Sequence, residues 1–425
     1  MKTGKMLMIL AAWLLILGLA AGCGAGASGG GTAGDVPGAS GGGTAGDVPD
    51  GGDTPAPGDA PAVGETGGDI VVGVNFELSG NLAGYGQAKL NGLRIALDEI
   101  NALGGVLGKT LVVKEYDNKG DNAEAVSLAT RLMGEDKVVA MIGPVTSGRV
   151  MAAADVARQF GIPLVTGTGT SVGITVRADG EVNPFVYRTC FTDPYQGTLA
   201  ASYAAGSLGL KTAALLVNQS DDYSIYMASA FQDAFEAAGG QIVDSVSFMQ
   251  GDLDFRTALT KIKSAGAAMI FCPNYYEPNA LIARQALELG YDGYIIGGDG
   301  WDNRDHLIQT AGPEALQKVY FINHYFPGDT GDDNQRFVEK YAELYHSAPP
   351  SFAALGYDTM WFVADAIEKA GAADPAAIDR AIAGTVGFQG ITGTFDMGPN
   401  HDPIKSAVVI GFDEEGNYRL ADRVR

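Results

Sequence analysis

Two short loops near the middle of the chain combine small hydroxyl side chains with glycines, a combination that suits binding of a small anion. The first loop, residues 143–148, contains Ser147, and the second, residues 166–171, reads TGTGTS and contains Thr168 and Thr170. Hydroxyls and free backbone N–H groups donate hydrogen bonds, and a helix N-terminus adds partial positive charge. One such loop usually only fills a turn, but two adjacent loops favour a binding site, for example for a carboxylate.

The segments around these loops predict the strands and the helix that bring them together. Residues 138–142 form an apolar run of strand length, and Ser147 can cap a helix whose apolar residues recur at helical spacing. Gly161 ends that helix, and a second strand starts at residue 162. Two parallel strands joined by a helix place both loops at the carboxyl edge of one sheet, where open α/β sheets bind ligands.

The sequence does not contain the common catalytic and metal-binding motifs. A phosphate loop ending in GKT needs glycine where the chain has Leu103, and the segment leads into a strand instead of a helix. No G-x-S-x-G elbow is present, because Val145 stands two places before Ser147. The sequence therefore predicts a binding protein and not an enzyme, with no metal or other cofactor. The four histidines are scattered without metal-ligand spacing, at His306, His324, His346 and His401.

The N-terminus has the pattern of a bacterial lipoprotein signal. Two lysines precede an apolar run, residues 6–21, that is too short for a comfortable membrane span, and Cys23 follows shortly after. In this interpretation residues 1–22 are removed and Cys23 is lipidated, although Ala20 stands where such signals usually carry leucine. An ordinary secretory signal and an N-terminal anchor helix remain alternatives, and each places the rest of the chain outside the cytoplasm.

Residues 23–68 predict a lipidated cysteine followed by a flexible tether. The segment GASGGGTAGDVP occurs twice in succession, at 26–37 and 38–49, and its composition cannot bury a core. A flexible chain of this length has a root-mean-square reach of roughly 35–40 Å. The tether is therefore expected to hold a globular part of the chain near a membrane.

The charge and the cysteines restrict the possible partners. A formal net charge of −22 at pH 7 disfavours binding to nucleic acid and electrostatic binding to anionic lipid. Beyond Cys23 the chain has two further cysteines, Cys190 and Cys272, both in apolar strand-like contexts. They are expected to be buried thiols, and whether they pair with each other stays open at this point.

From residue 69 onward, strand and helix patterns alternate regularly over a length sufficient for two domains. One block of alternation ends near residue 190, a second runs to about residue 297, and further helical segments follow. Regular alternation of this kind indicates parallel sheets covered by helices on both faces. The sequence thus predicts an α/β protein with two lobes.

Several motifs resemble the branched-chain amino-acid (leucine/isoleucine/valine) binding proteins, a group of ABC-transporter substrate-binding proteins with the type I periplasmic binding protein fold. The motifs are FELSGNLAGYGQAKLNGLRIALDEINALGG at 76–105, YDNKGD at 116–121, IGPVTSGRV at 142–150, IPLVTGTGTS at 162–171, YRTCFTDPYQG at 187–197 and GYIIGGDGWD at 293–302. The resemblance implies two lobes, each a mainly parallel sheet flanked by helices, joined by three crossovers. Its expected lobe ranges are 69–190 with 327–393, and 191–326 with 394–425.

The resemblance also implies a function and a set of site residues. A monomer of this kind closes around one amino acid and passes it to the transmembrane subunits of an ABC permease. The ligand carboxylate is expected at Ser147, Thr168 and Thr170, and the ammonium at Asp299, where many members have glutamate. The expected aromatic lining is Tyr85, Tyr223, Tyr275 and Trp301.

One departure and three alternatives accompany the resemblance. Some members carry a disulfide beside the first binding loop, whereas this chain has Thr146 there and no cysteine in residues 116–121. Related proteins on the same scaffold bind amides, urea or aromatic acids, which would leave Asp299 without an ammonium. A lipoprotein that reports a ligand to a receptor, and a surface enzyme, are the other two alternatives.

Overall fold

The computed structural model describes residues 68–424. The predicted signal peptide at 1–22, the predicted lipidation site Cys23 and the linker up to residue 67 lie outside the described residues. Within 68–424, no helix combines the length and the apolar character needed to cross a membrane.

The first sheet is parallel and contains the two predicted loops. Its strands and helices, in chain order, are β1 Ile70–Phe76, α1 Ala83–Ala102, β2 Leu111–Asp117, α2 Asn122–Gly134, β3 Ala140–Ile142, α3 Ser147–Phe160, β4 Leu164–Thr166 and β5 Val186–Arg188. The strand order is β2-β1-β3-β4-β5. The buried residue Val72 of β1 pairs with Val113 of β2 on one side and with Ala140 of β3 on the other. Adjacent strands β3 and β4 therefore deliver both loops to the same edge, as predicted.

The second sheet has seven strands and receives the chain after β5. Its first elements are α4 Asp193–Ser202, β6 Thr212–Asn218, α5 Asp222–Ala237, β7 Gln241–Phe248, α6 Arg256–Ser264, β8 Met269–Phe271, α7 Tyr276–Glu288, β9 Tyr294–Gly297, α8 Arg304–Ala311 and β10 Val319–Asn323. The chain then forms α9 Asp332–Tyr345, α10 Ser351–Ala370, α11 Pro375–Ala383, β11 Phe388–Gly390, β12 Gly393–Phe395, β13 Ala407–Phe412 and β14 Tyr418–Val424. The strand order is β14-β13-β10-β9-β8-β6-β7, in which β13 runs antiparallel to both neighbours.

The chain passes between the two sheets three times, after β5, after β10 and after β12. Helix α10 packs on α1 beside the first sheet, and the β11–β12 hairpin packs on α10 through Phe362, Phe388 and Phe395. The five-stranded sheet together with α1–α3 and α9–α11 forms the first half of the molecule. The second half is the seven-stranded sheet with α4–α8. The predicted α/β fold with two lobes and three crossovers is confirmed, whereas the residue ranges of the lobes stay a prediction.

A buried lysine holds the connections together at the back of the molecule. Lys405, in the third connection, donates to the carbonyl of Thr189 in the first connection at 3.1 Å. It also donates to the Thr392 hydroxyl at 2.5 Å, and Thr392 in turn is bound to the Asp358 carboxylate of α10. Charged hydrogen bonds in a low-dielectric interior are strong, so Lys405 ties the first and third connections firmly to each other.

Helices α1 and α10 approach each other unusually closely because glycine faces backbone on both of them. A Cβ added at Gly92 of α1 would lie 1.8 Å from the carbonyl oxygen of Ala353. A Cβ added at Gly356 of α10 would lie 2.1 Å from the carbonyl oxygen of Lys89. The contact fixes where α1 and α10 stand beside the first sheet.

Replacing Gly92 with alanine is expected to destabilise the protein. The helices must separate to admit the methyl group, and overpacking of this kind costs about 1–3 kcal/mol even though alanine is the better helix former. Urea denaturation of the variant should show a lowered midpoint. The control is Gly206→Ala, an exposed helical position with nothing within 4 Å of the added Cβ; equal midpoints for the two variants would contradict the close-packing argument.

Candidate functional site

The first predicted loop runs from β3 into α3, and Ser147 is the first residue of that helix. Thr146, not Ser147, occupies the cap position, so the predicted capping role of Ser147 is wrong. The Ser147 hydroxyl oxygen instead accepts hydrogen bonds from the backbone N–H groups of Thr170 and Ser171, both at 3.2 Å. Ser147 therefore joins the two loops directly at the N-terminus of a 14-residue helix.

A buried carboxylate shapes the first loop, and sequence reasoning missed it. Glu77 follows β1 and is fully buried, and its two oxygens accept the N–H groups of Val145 and Thr146, each at 3.0 Å. The Thr146 hydroxyl donates to the same carboxylate at 2.6 Å. The sequence did contain a signal for this role of Glu77, because an acidic residue directly follows an apolar strand at the edge where the loops meet.

The second loop is held by the side chains of Thr166 and Thr168. The Thr166 hydroxyl donates to the Pro144 carbonyl at 3.0 Å and accepts the Gly169 N–H at 2.9 Å. The Thr168 hydroxyl donates to the Val145 carbonyl at 2.6 Å. The Thr168 hydroxyl hydrogen is thus already used between the loops, and the Thr168 N–H lies 3.4 Å from the Thr166 hydroxyl oxygen.

The Thr168 hydroxyl also accepts a hydrogen bond from a buried lysine. Lys89 of α1 is fully buried, and its Nζ lies 3.0 Å from Thr168 Oγ1 and 4.9 Å from the centre of the Phe76 ring. Burial lowers the pKa of the Lys89 ammonium to about 7, an effect that the charges of Cys190 and Glu77 oppose. A basic group therefore stands directly beneath the predicted carboxylate site.

A buried arginine holds the end of the second loop. Arg188 of β5 donates to the carbonyls of Gly169 and Ser171 at 3.0 and 2.7 Å. Its Nε also lies 2.6 Å from a carboxylate oxygen of Asp402, in the third connection between the sheets. One guanidinium therefore binds the ligand loop and the hinge at once.

The second half contributes Asp299, in the short turn after β9. Its Oδ1 accepts from Gln196 Nε2 at 3.1 Å, and its Oδ2 lies 3.0 Å from His324 Nε2. Burial lowers the pKa of His324, so the ring is neutral near pH 7 and donates through Nε2. The His324 ring stacks on Phe191 with the centres 3.5 Å apart. Asp299 is thus held in one orientation with 2% of its surface exposed.

A second buried carboxylate, Asp193, lies near Asp299 and was not among the predicted site residues. Among residues 68–424 neither of its oxygens has a hydrogen-bond partner, and the side chain is fully buried. Burial raises the pKa of the Asp193 carboxyl well above its usual range, and the charge of Asp299 adds to the effect, while the Thr170 hydroxyl opposes it. The Asp193 N–H donates to the Thr170 carbonyl at 3.0 Å, which places this acid beside the second loop. The motif YRTCFTDPYQG contains Asp193, but as the first residue of a helix it looks like a turn residue.

Three predicted tyrosines meet across the two halves. Tyr85 lies in the first turn of α1, and its hydroxyl donates to the Gly300 carbonyl at 2.5 Å. The Tyr223 hydroxyl accepts the Gly300 N–H at 3.0 Å, and the ring of Tyr275 stacks on Tyr223 at 5.1 Å. Phe352 of α10, which was not predicted, stacks on Tyr85 at 4.2 Å. An aromatic wall therefore adjoins the Asp299 turn.

Trp301, which was also expected to line the site, lies in the core of the second half, and its lining role stays a prediction. Its side chain has no exposed surface, packs in the core of the second half, and donates its indole N–H to the Cys272 carbonyl at 2.8 Å. The indole fixes the turn that carries Asp299. An aromatic residue after a strand looks the same in sequence whether it faces a cleft or the core.

A groove of about 80 Å³, lined by residues of both halves, reaches Tyr275. Arg149 of α3 and Asp221, which precedes α5, both line it. Burial raises the pKa of the Asp221 carboxyl to about 6, and the nearby Tyr275 hydroxyl and Arg149 limit the rise. The groove is the surface approach to the aromatic wall.

The remaining chemistry of the described part of the chain is simple. Cys190 and Cys272 are both buried free thiols, which settles the pairing that the sequence left open. Residues 68–424 contain no group of three or more histidine, cysteine or acidic side chains placed to hold a metal ion.

Comparison with known proteins identifies the family. Residues 69–417 match the family model described as periplasmic binding protein. The chain belongs to this family. It is 33% identical over 308 residues to the Leu/Ile/Val-binding protein BraC3 of Rhizobium johnstonii, a match that covers 72% of this chain and 81% of the relative. The family is one of extracytoplasmic binding proteins, and the resemblance found in the sequence motifs is confirmed.

Solved structures agree with this assignment. The chain is similar to a leucine-binding protein, LivK, of Thermotoga maritima, with 33% identity, a TM-score of 0.78, and coverage of 84% of this chain and 99% of the other. It is similar to the branched-chain amino-acid transporter substrate-binding protein LivJ of Streptococcus pneumoniae, solved with isoleucine, at 35% identity, with the same TM-score and coverage. A benzoate complex of a solute-binding protein from R. palustris, at 23% identity and a TM-score of 0.75, shares the fold.

Lys89 is expected to make stability depend on pH. The unfolded chain keeps this lysine protonated up to about pH 10.5, whereas the folded protein keeps it protonated only up to about pH 7. Its burial therefore costs stability below pH 7, and the cost disappears as pH rises from 7 to 10.5. Relative to Lys89→Met, the wild type should gain roughly 3–5 kcal/mol of unfolding free energy across that window.

Urea denaturation at several pH values from 6 to 10 measures this difference. The exposed Lys211, changed to methionine, is the control and should differ from the wild type by a constant amount. A difference between Lys89→Met and the wild type that does not change with pH would contradict the buried-ammonium assignment.

Proposed function

We propose that the protein captures a branched-chain or similar amino acid between its two halves. The carboxylate end of the site is the pair of loops joined by Ser147. The Ser147 hydroxyl and the first N–H groups of α3 supply donors and partial positive charge, and Thr168 and Thr170 lie beside them in the second loop. The ammonium end is formed by Asp299 together with Asp193. A zwitterion satisfies both ends at once.

The burial of Asp193 is the observation that carries this proposal. A fully buried carboxylate close to a second carboxylate is costly in a dry site unless a cation joins them. The ammonium of an amino acid is such a cation, and its own carboxylate would then face the Ser147 loops. The Thr170 carbonyl accepts the Asp193 N–H, so the two ends are neighbours.

The aromatic wall suits an apolar side chain. Tyr85, Tyr223 and Tyr275 present ring faces, and two of the hydroxyls are engaged with the backbone of Gly300. Such rings contact a branched aliphatic chain well without offering it a charged partner. The isoleucine and leucine named for the solved relatives support this choice.

Binding and closure are proposed to occur together. The amino acid first meets the loops of the first half, and the second half then brings Asp299, Asp193 and Tyr223. Closure excludes water, which strengthens the charged hydrogen bonds to the ligand. Tyr85, which donates across the halves to Gly300, marks the closed form.

The closed form is proposed to be recognised by the transmembrane subunits of an ABC importer. We further propose that the mature chain is a monomer held at the membrane by lipid on Cys23, with residues 24–68 as its tether. Binding without turnover is expected, and a hydrolase screen that found turnover would contradict it. Loss of membrane association in a Cys23→Ala protein, measured by cell fractionation, would support the lipid anchor.

Calorimetric titration of residues 69–425 with the twenty amino acids, benzoate, urea and simple amides tests the function. The protein should first be unfolded and refolded to remove ligand carried through purification. Binding of leucine, isoleucine or valine is expected. Binding of only an amide, urea or benzoate would keep the fold and overturn the amino-acid assignment.

The ammonium role of Asp193 and Asp299 predicts a specific loss. Asp299→Ala or Asp193→Ala should weaken leucine binding by about 2–5 kcal/mol, because the ammonium loses a charged partner in a dry site. The keto acid 4-methyl-2-oxopentanoate has the same carboxylate and side chain but no ammonium. Its affinity should fall far less in either variant, or rise.

The exposed Asp305→Ala protein is the matched control, since Asp305 is paired only with Arg304 at the surface and should leave both affinities unchanged. Equal losses for leucine and the keto acid would show that the two acids act on folding or closure and not on the ammonium.

A further inference from the structure

Asp302 is a buried acid with partners in both halves of the molecule. It stands three residues after Asp299 and has 2% of its surface exposed. Within the second half, its Oδ1 accepts from the Tyr418 hydroxyl at 2.6 Å, and its Oδ2 accepts from Asn323 Nδ2 at 3.0 Å. These two bonds fix the carboxylate on the seven-stranded sheet.

The third bond of Asp302 crosses to the first half. The backbone N–H of Ser351, the first residue of α10, donates to Asp302 Oδ2 at 2.6 Å. The first N–H groups of a helix have no partner inside the helix, and the helix dipole favours an anion there. Helix α10 is 20 residues long and carries no acidic residue in its first turn. A carboxylate from the other half therefore supplies the missing anion.

This bond is connected to the ligand site at both of its ends. Asp302 and Asp299 belong to the same turn after β9, which Trp301 anchors in the core. Ser351 is followed by Phe352, whose ring stacks on Tyr85. The Tyr85 hydroxyl then returns to the turn at Gly300, so the contacts form a closed ring across the cleft.

We propose that Asp302 sets ligand affinity without touching the ligand, because its carboxylate binds the N-terminus of α10 only when the two halves are closed. The proposal rests on the proposed function, in which closure traps the ligand. When the halves separate, Tyr418 and Asn323 keep the carboxylate in place and ready to bind again. The Ser351 N–H turns to water. The bond therefore stabilises the closed state alone and slows release of the ligand.

The structure offers a test that leaves Asp302 itself unchanged. Ser351→Pro removes the N–H that crosses the cleft, and proline is well accepted at the first position of a helix. The preceding Pro350 has φ −73° and ψ 168°, the extended conformation that a following proline requires. Ser351→Ala is the matched control, since it removes only the side-chain hydroxyl and keeps the N–H.

Stopped-flow and calorimetric measurements with L-leucine should separate the two variants. Ser351→Pro is expected to raise the leucine Kd about tenfold or more, mainly through a faster dissociation rate, because the bond forms after encounter. Ser351→Ala should stay within about twofold of the wild type. Asp302→Asn, which keeps an acceptor oxygen but loses the charge, should fall between them.

The melting temperature of the ligand-free protein distinguishes closure from simple support of the fold. If the Asp302–Ser351 bond only supported the fold, breaking it would lower this melting temperature. Ser351→Pro is instead expected to leave the melting temperature nearly unchanged. An unchanged leucine dissociation rate in Ser351→Pro, with a wild type that binds leucine, would overturn the proposal for Asp302 alone. The proposal would also be overturned if the melting temperature of ligand-free Ser351→Pro fell so far that partial unfolding explained the whole loss of leucine affinity.

A wild type that bound no amino acid would overturn the proposed function instead. If it bound benzoate, urea or an amide, the same two variants measured with that compound would decide the role of Asp302 by the same criteria. A wild type that bound none of these compounds would overturn both proposals.

Discussion

Two buried carboxylates in one cleft are the constraint on which the site depends. Asp193 and Asp299 are close enough for the charge of Asp299 to raise the pKa of the Asp193 carboxyl, whose main cause of elevation is burial. Such a pair is unfavourable in a dry space until a cation enters. Gln196 and His324 hold Asp299 so that it cannot turn away. In the proposed function, this pair is what receives the ammonium of the ligand.

The two loops of the first half are under a second constraint. Loops without regular structure must be rigid to recognise a ligand. Each loop is fixed by a buried ionisable side chain: Glu77 for the first, and Lys89 with Arg188 for the second. Ser147 then joins the loops through its hydroxyl. A buried network of this kind is rigid because breaking any member leaves a polar group unsatisfied.

Much of this arrangement could be predicted from the sequence, for identifiable reasons. The strand–helix–strand pattern around Ser147 has strong periodicity and clear glycine stops, so the convergence of the two loops followed from topology alone. Trp301 and Asp193 could not be placed that way. Whether a residue after a strand faces a cleft or the core depends on contacts with segments far away in the chain, which sequence patterns do not describe. The fold was therefore predictable, and the site only where topology determined it.

The double attachment of Arg188 has a consequence for how such proteins diverge. Its guanidinium binds the carbonyls of the ligand loop and also Asp402, which lies in the third connection on the far side of the first sheet's edge strand. The shape of the recognition loop and the angle of the hinge are thus mechanically linked. Evolution can therefore adjust ligand preference through substitutions in the connections as well as in the cleft. Two relatives with identical cleft residues need not share a ligand.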